Sequence, residues 1–484
     1  MPSTRRRASV PRPPVRPAAR AGILAAALAL AVAAALVAAA GFGVGAQAAA
    51  AGPPGAPAGA SGAAAGAGAQ AGSDAAAAER LATVRRVLAE VPLVDGHNDL
   101  PWQVRERAAG KLAGLDLAAD LTGLDPALHT DVARLRQGGV GAQFWSVYVP
   151  VEMAGAEAVQ ATLEQIDVVT RMASRHPDVF ELATTAGEVE RIHRSGRIAS
   201  LVGVEGGHSI GGSLAVLRQL HRLGARYMTL THWKGHEWAD AATSPVRHGG
   251  LSEFGREVVR EMNRLGMLVD LSHVSAATMH DALDVAEAPV VFSHSSAAGV
   301  VDFPRNVPDD VLRRLLDNGG VVMVTFVPSF VSAESLAHYA AREAEKERLA
   351  TIHPGDRERA AAELAGWDAR HPAPRATLAE VADHVDHVRR VAGIDHVGLG
   401  SDFDGISSVP VGLEDVSTYP ALLAELLARG YTAEEIGKVA GANVLRAMRR
   451  AEEVAAHLQA ERGPSEALLT DYPPPPPEPA EEDD

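Results

Sequence analysis

A histidine and an aspartate two residues apart, His97 and Asp99, follow an apolar run that starts at Pro92. In a β-strand, residues i and i+2 point to the same face, so the imidazole and the carboxylate would enter one site. Nitrogen and oxygen donors of this kind bind metal ions in hydrolases. The pair therefore predicts one half of a metal site, although a histidine and an aspartate at this spacing also occur by chance.

Metal-ligand residue types stand at or next to the ends of six apolar runs. They are His97 with Asp99, Glu205, His232, His273, His294, and Asp402 with Asp404. One histidine at a strand end is more often a half-buried, hydrogen-bonded residue than a ligand. Six strand ends of this kind favour a shared site, because a buried cluster of carboxylates and imidazoles costs several kcal/mol unless a cation compensates it.

Eight short, continuously apolar runs are predicted to be the strands that position these groups. They cover residues 93–97, 142–149, 199–205, 227–232, 268–273, 290–294, 321–326 and 397–402. Apolar residues at helical spacing predict helices over 213–223, 253–265, 276–286 and 309–317. The alternation predicts a (β/α)₈ TIM barrel, in which all strand carboxyl ends meet at one rim. The long connection 327–395 is expected to hold two helical insertions, around 335–349 and 356–368.

The two ends of the chain differ in composition from its middle. Six arginines in the first 20 residues precede residues 21–46, which carry no polar side chain, and Ala46-Gln47-Ala48 has the small-x-small form of a cleavage site. Residues 1–48 are predicted to be a cleaved signal peptide or an uncleaved membrane anchor. Either one implies export to the periplasm, the extracellular space or the outer side of the cytoplasmic membrane.

The remaining composition divides the chain into three further parts. Residues 49–76 consist mostly of Ala, Gly and Pro and are predicted to be a flexible linker. Residues 77–460 contain no second linker and are predicted to be the barrel domain, and residues 461–484 a disordered, Pro-rich acidic tail. The net charge of −16 argues against nucleic-acid binding. The chain has no cysteine, which excludes disulfides, cysteine-ligated zinc and a thiol nucleophile.

Six motifs, in this order along the chain, resemble those of the membrane dipeptidase (renal dipeptidase) family of zinc peptidases. They are Asp95-Gly96-His97-Asn98-Asp99, Gly203-Val204-Glu205-Gly206-Gly207-His208-Ser209-Ile210, Leu230-Thr231-His232, Asp270-Leu271-Ser272-His273, Phe292-Ser293-His294-Ser295 and Gly400-Ser401-Asp402-Phe403-Asp404-Gly405. The resemblance covers about residues 85–455. Each motif alone is only moderately specific, whereas the ordered set is highly specific.

The resemblance implies a (β/α)₈ barrel that binds two zinc ions per chain in the manner of the amidohydrolases. His97 and Asp99 would bind the first ion, His273 and His294 the second, and Glu205 both. A water shared by two such ions loses a proton far more readily than bulk water and supplies hydroxide near neutral pH. Because all these ligands are nitrogen or oxygen donors, they also suit cobalt or manganese.

The resemblance also assigns residues to substrate binding and proton transfer. His232 would contact the scissile carbonyl oxygen, with the alternative that it is a further ligand or a supporting group. Arg305 would bind the carboxylate of the substrate, although without the resemblance a surface-loop arginine would be the favoured interpretation. Asp402 would bind substrate and carry protons between the attacking water and the leaving amine.

Two further residues are expected to support the site without binding metal. His208 is expected to orient Glu205 or another ligand, and Asp404 is expected to lie beside Asp402. His384 and His387 lie three residues apart in a predicted helix and are expected to be solvated. The segment from Trp233 to Asp240 departs from the family pattern by a lysine and an extra histidine, and is expected to face the substrate.

The predicted function is that of an exported dinuclear zinc dipeptidase, whose substrate is a dipeptide. The resemblance further implies a homodimer. One alternative keeps the barrel and metals but cleaves a lactam, a lactone or an N-acyl amino acid. Another is a non-catalytic metal-binding surface protein. Arg305 discriminates between the enzymatic alternatives, because it needs a free carboxylate near the scissile bond.

Overall fold

A closed ring of eight parallel strands forms the centre of the computed structural model, which describes residues 62–473. The strands of the sheet are β1 (Leu93–Asn98), β2 (Val140–Tyr148), β3 (Phe180–Leu182), β4 (Ile198–Glu205), β5 (Ala225–Thr229), β6 (Leu268–Asp270), β7 (Val291–Phe292), β8 (Val321–Val324) and β9 (Val397–Leu399). The ring runs in the order β2, β1, β9, β8, β7, β6, β5, β4, and the pairing of β2 with β4 closes it. This confirms the predicted (β/α)₈ barrel.

One strand of the sheet, β3, lies outside the ring and was not predicted. Its three residues pair with the start of β4, where Phe180 is opposite Ile198. The pairing of β4 with β5 begins only at Val202, so β3 covers the edge that β5 leaves free. A three-residue strand is too short for its apolar pattern to stand out in the sequence.

Sixteen α-helices are present in residues 62–473 and surround the ring or extend from it. They are α1 (Gly62–Glu90), α2 (Leu100–Ala108), α3 (Val132–Gln137), α4 (Ala156–Arg175), α5 (Ala186–Arg194), α6 (Leu214–Arg222), α7 (Glu253–Leu265), α8 (Ala276–Val285), α9 (Asp309–Asn318), α10 (Pro328–Val331), α11 (Ala333–Ile352), α12 (Arg357–Arg370), α13 (Leu378–Ala392), α14 (Tyr419–Ala428), α15 (Ala433–Gly437) and α16 (Asn443–Glu461).

Local sequence explains where the barrel helices begin and end. Helix α7 has its predicted bounds, because the Ser252 side chain accepts the amide hydrogen of Gly255 and Gly266, at φ +76°, ends the helix. Its apolar face packs on the barrel, and Phe254 of α7 belongs to the same buried cluster as Val269 of β6 and Phe292 of β7. Burial of this layer between strands and helices is the main stabilising contribution to such a fold.

Several ring strands end two or three residues earlier than predicted. Strands β5, β6, β7 and β9 end at Thr229, Asp270, Phe292 and Leu399. The predicted site residues that follow them therefore lie in loops. The backbone of His273 has φ +68° and that of Asp402 has φ +67°, left-handed values that cannot continue a strand. These turns direct both side chains over the rim of the barrel.

The long connection between β8 and β9 contains both predicted insertions. They are α11 and α12, each slightly longer than expected, and Arg342 of α11 forms an ion pair of 2.8 Å with Asp368 of α12. The two helices form a hairpin that borders the rim.

The structure describes the inner part of each predicted terminal segment. Residues 62–76, the second half of the predicted linker, belong to helix α1, because alanine is the strongest helix former and outweighs the interspersed glycines. Residues 462–473 of the predicted disordered tail lie against the barrel. Arg218 donates to the carbonyl of Ser465 over 3.0 Å, and Tyr472 lies 6.0 Å from Phe254 between ring centres.

The predictions for residues 1–48, 49–61 and 474–484 fall outside the described residues. Among the helices of residues 62–473, none is sufficiently long and apolar to cross a membrane.

The expectation that His384 and His387 are solvated is wrong. Both lie on the inner face of α13, with exposed fractions of 0% and 6%. His387 Nε2 lies 2.6 Å from the Asp309 carboxylate, and His384 contacts backbone groups of the loop after β7 and of α10. The inner face of this helix can hold imidazoles because these partners satisfy their polar atoms.

Candidate active site

A cavity of about 860 Å³ opens at the carboxyl ends of the ring strands. Most of the predicted site residues line it, namely Asp99, Glu205, His232, His273, His294, Arg305, Asp402 and Asp404. His97 is fully buried directly beneath, in contact with Glu205. Residues from six different strand ends thus meet at one place, as the barrel topology requires.

Glu205 lies at the centre of this cluster, and its two carboxylate oxygens face different imidazoles. Oε2 lies 3.5 Å from His97 Nε2, which is also 3.3 Å from Asp99 Oδ2. Oε1 lies 3.2 Å from His273 Nε2 and 3.5 Å from His294 Nε2. A single carboxylate therefore contacts both predicted sets of ligands.

Hydrogen bonds behind the ligands fix the orientation of two imidazoles. The Tyr227 hydroxyl donates to the Gly96 carbonyl (3.1 Å) and lies 3.0 Å from His97 Nδ1. The Ser293 hydroxyl donates to Asp270 (2.6 Å) and lies 2.8 Å from His294 Nδ1. Because both hydroxyl hydrogens are already used, each Nδ1 carries its own hydrogen and donates it. The lone pair of each Nε2 is then directed at Glu205 and available to a metal.

Burial opposes charge on most groups of the cluster; only at His97 is this lowering of the pKa outweighed, by the neighbouring Tyr227, Glu205 and Asp99, which raise its pKa well above the usual value. Burial lowers the pKa values of His232, His273 and His294 well below the usual value, so that these imidazoles are neutral at neutral pH. It raises the pKa values of Glu205 and Asp402. A neutral imidazole and a carboxylate deprived of water are both groups that a divalent cation stabilises.

The donor set of this structure fits divalent metal ions. His97 Nε2 has no hydrogen-bond partner within residues 62–473, although it is buried. Three overlapping groups of possible ligand atoms each lie within 4.8 Å, formed by His97, Glu205 and His294, by Glu205, His232 and His273, and by His97, Asp99 and Asp402. All the donors are nitrogen or oxygen atoms, which suit zinc, cobalt and manganese.

The same groups place His232 and Asp402 within reach of a metal. His232 Nε2 lies 3.5 Å from Glu205 Oε1, and Asp402 belongs to one group with His97 and Asp99. The assignment of these two residues to substrate binding and proton transfer, and of each ligand to a particular ion, therefore stays a prediction.

Arg305 is buried within the cavity wall, which overturns the alternative of a surface-loop arginine. Its exposed fraction is 1%, and its guanidinium lies 5.3 Å from the ring centre of Phe330 and 5.9 Å from that of Trp233. Its Nε has no partner among the described residues. Burial lowers its pKa to about 10, so it remains positively charged at neutral pH. A buried cation with a free donor in a cavity suits an anionic ligand group.

The predicted supporting residues have different contacts. His208 Nε2 bonds to the Val149 carbonyl at 3.2 Å, whereas the Ser146 hydroxyl donates to Glu205 at 3.1 Å, so Ser146 orients that carboxylate. Asp404 accepts from the His129 amide at 2.6 Å, which anchors the loop that carries Asp402. Burial raises the pKa of Asp404 to about 6.

The aromatic residues of the cavity wall were not predicted from the sequence, except for Trp233 in the segment that was expected to face the substrate. The others are Trp102, Tyr148, Phe303, Phe330 and Tyr339. Trp233 lines the cavity as expected, while Lys234 pairs with Glu152 at the surface and His236 is buried against the Leu230 carbonyl. Only the first residue of that unusual segment thus contributes to the cavity wall.

Comparison with known proteins identifies the family of this chain. The family model described as membrane dipeptidase (peptidase family M19) matches residues 81–462. The dipeptidase verJ of Clonostachys rogersoniana is 43% identical over 387 residues, which cover 78% of this chain and 88% of that protein. An uncharacterised dipeptidase of Schizosaccharomyces pombe is 44% identical over 382 residues, 76% of this chain and 83% of that protein.

A solved structure has the same fold. The metallopeptidase from Rhodobacter sphaeroides, liganded with a phosphinate mimic of the dipeptide L-Ala-D-Ala, is 26% identical with a TM-score of 0.61. The match covers 75% of this chain and 99% of that one. The chain therefore belongs to the membrane dipeptidase family of metallopeptidases.

Proposed function

We propose that this chain is an exported dipeptidase that binds two zinc ions and hydrolyses the peptide bond of dipeptides. The observation that carries the proposal is the presence of Arg305 and the Glu205-centred ligand cluster in one cavity. A dipeptide has a free carboxylate next to its only peptide bond, so one buried guanidinium beside a metal cluster matches its chemistry.

The two zinc ions, when bound, supply a water acidic enough to attack at neutral pH and polarise the scissile carbonyl. The residues around them bind and orient the substrate. Arg305 binds its carboxylate, and the aromatic rings of Trp233 and Phe330 limit the access of water to that ion pair. Fixing the carboxylate places the peptide bond over the cluster and lowers the entropic part of the barrier.

Two buried side chains are proposed to act on the reacting atoms. His232 is neutral, and an imidazole N–H directed at the carbonyl oxygen stabilises the negative charge that develops there. Asp402 has a raised pKa, which lets its carboxyl group accept a proton from the attacking water and deliver it to the leaving amine nitrogen. The aspartate returns to its starting state when the amine leaves.

A substrate panel tests the proposed activity. Zinc-reconstituted protein is incubated with L-Ala-L-Ala, L-Ala-D-Ala, their C-terminal amides, N-acetyl-alanine and a simple lactone. The D-residue is included because the Rhodobacter sphaeroides metallopeptidase was solved with a mimic of L-Ala-D-Ala. Hydrolysis of the free dipeptides ahead of all other compounds is expected. Turnover of the lactone or the N-acyl amino acid without dipeptide cleavage would favour the other amidohydrolase reactions, and no turnover at all would favour a non-catalytic metal-binding protein.

We also propose export through residues 1–48, supported by six arginines followed by 26 residues without a polar side chain. Fusion of this segment to a reporter that is active only outside the cytoplasm tests it. Reporter activity is expected, and a fully cytoplasmic, inactive fusion would contradict export.

A further inference from the structure

The loop after β7 and helix α10, which both carry residues of the cavity wall, meet next to Arg305. The loop after β7 carries His294 and Arg305, and helix α10 carries Phe330, whose ring covers the guanidinium. Within this loop, the Ala298 amide donates to the Val307 carbonyl at 3.0 Å and the Val307 amide to the Ser296 carbonyl at 2.8 Å. Residues 296–298 are thereby held against the segment that contains Arg305, so whatever fixes 296–298 also fixes Arg305.

Two buried side chains connect this loop to α10. Asn306 accepts from the Ser296 amide (3.2 Å) and donates to the Phe330 carbonyl (2.8 Å). His384 of α13 accepts from the Ala297 amide through Nδ1 (3.0 Å), and its Nε2 lies 3.2 Å from the Val331 carbonyl. The consecutive amides of Ser296 and Ala297 are thus linked, through these two side chains, to the consecutive carbonyls of Phe330 and Val331.

The contacts of His384 require one protonation state. Nδ1 must offer its lone pair to the Ala297 amide, so the single ring hydrogen is on Nε2 and is donated to Val331. Burial lowers the pKa of His384 to about 4, which keeps the ring neutral at neutral pH. His384 does not itself line the cavity. It bonds to the backbone of the loop after β7 and of α10, whose residues Arg305 and Phe330 do line the cavity.

We propose that His384, together with Asn306, is a positioning residue for carboxylate recognition: it holds the Arg305 loop and α10 in register, so that the guanidinium stays aimed into the cavity under the Phe330 ring. This role rests on the proposed function of Arg305. Without the link, the loop and α10 can separate, and Arg305 loses its fixed direction. A guanidinium that is not held in this direction binds the substrate carboxylate more weakly, and this loss affects binding more than the chemical step.

The chain offers a matched control for this role. His387 lies one turn further along α13, is also buried, and packs against Gly299 of the same loop, but its hydrogen bond goes to the Asp309 carboxylate rather than to the amides of 296–297 or to α10. His384→Ala and His387→Ala therefore remove the same side chain from the same helix face. Thermal stability and zinc content are measured for both, so that general destabilisation is separated from the loss of positioning.

The test measures KM and kcat for a dipeptide and its C-terminal amide with His384→Ala, His387→Ala, Arg305→Ala and the double variant Arg305→Ala/His384→Ala. His384→Ala is expected to raise KM for the free acid about tenfold with kcat nearly unchanged, and to leave KM for the amide nearly unaltered. The double variant is expected to be no worse than Arg305→Ala alone, because the two residues act through one contact. His384→Gln, which retains an acceptor and a donor, is expected to recover part of the loss.

Hydrogen exchange separates the positioning role from the proposed activity. Exchange in residues 295–308 is expected to be faster in His384→Ala than in His387→Ala. Unchanged exchange there, additive effects in the double variant, or an equal rise of KM with His387→Ala would each overturn the proposal. If Arg305→Ala raises KM equally for the free acid and the amide, Arg305 does not bind the substrate carboxylate and the proposed function of this residue is wrong. Faster exchange in His384→Ala would still show that His384 holds the loop. If His384→Ala does not fold, the same KM and hydrogen-exchange measurements are made with His384→Gln and Asn306→Asp and compared with His387→Ala.

Discussion

Replacement of Arg305 by alanine is predicted to raise KM for dipeptides and to leave kcat largely intact. The guanidinium is 1% exposed, remains charged with a pKa of about 10, and has a free Nε within the described part of the chain. A charge-assisted hydrogen bond in such an environment is worth about 1.5–3 kcal/mol, which corresponds to an increase of KM by about 10- to 150-fold.

Comparison of each dipeptide with its C-terminal amide gives the decisive assay. The amide lacks the anionic partner, so the wild-type protein should already bind it weakly and Arg305→Ala should change its KM little. Arg342→Ala is the matched control, because this arginine also lines the cavity but is 37% exposed in its side chain and already paired with Asp368. An equal loss on the free acid and the amide, or an equal effect of Arg342→Ala, would refute carboxylate recognition by Arg305.

Three further predictions follow from the site and its surroundings. Asp402→Asn should lower kcat about 10²- to 10⁴-fold with the metal content unchanged, since the amide cannot carry the proton; loss of zinc in the same preparation would instead make Asp402 a ligand. Tyr227→Phe should weaken zinc affinity about 10- to 100-fold, measured by competition with a chelator, because His97 loses its partner at Nδ1; unchanged affinity would exclude that role. The metal-free protein should lose stability as pH falls from 6.5 towards 4, because burial lowers the pKa values of His384 to about 4 and His236 to about 3, so the unfolded chain binds these protons first. Each of the two histidines contributes roughly 2–3 kcal/mol to this loss, whereas Asp404, whose pKa burial raises to about 6, contributes in the opposite direction. Urea unfolding at pH 7 and pH 4.5 therefore compares the wild type with His384→Gln, and an equal pH-dependent loss in both proteins would contradict the reasoning.

The barrel, and the meeting of most predicted site residues in one cavity, could be predicted because the necessary information is local. A strand buried on both faces is a short apolar run, and a parallel barrel brings the residue after each run to one rim. Knowledge of the strand ends therefore sufficed to gather Glu205, His273 and His294 in one cavity. The early ends of β6 and β9, and the positive φ values of His273 and Asp402 in the loops that follow, leave no comparable mark in the sequence.

The residues that orient the ligands could not be predicted from local patterns. Tyr227 contacts His97 from 130 positions away, and His384 reaches Ala297 from 87 positions away. Such contacts depend on which side chains the closed barrel and its loops bring together. Two histidines three residues apart lie on one face of a helix, but this spacing does not tell whether that face contacts water or protein. The burial of His384 and His387 could therefore be seen only in the fold.

The zinc content of the reconstituted protein tests most directly whether Glu205 joins two metal sites. Elemental analysis of wild-type protein and Glu205→Gln, both dialysed against the same zinc buffer, compares the number of ions per folded chain. Two ions are predicted for the wild type and fewer for Glu205→Gln, because the carboxylate contacts both sets of ligands. One ion per chain in the wild type, unchanged in Glu205→Gln, would contradict the dinuclear site.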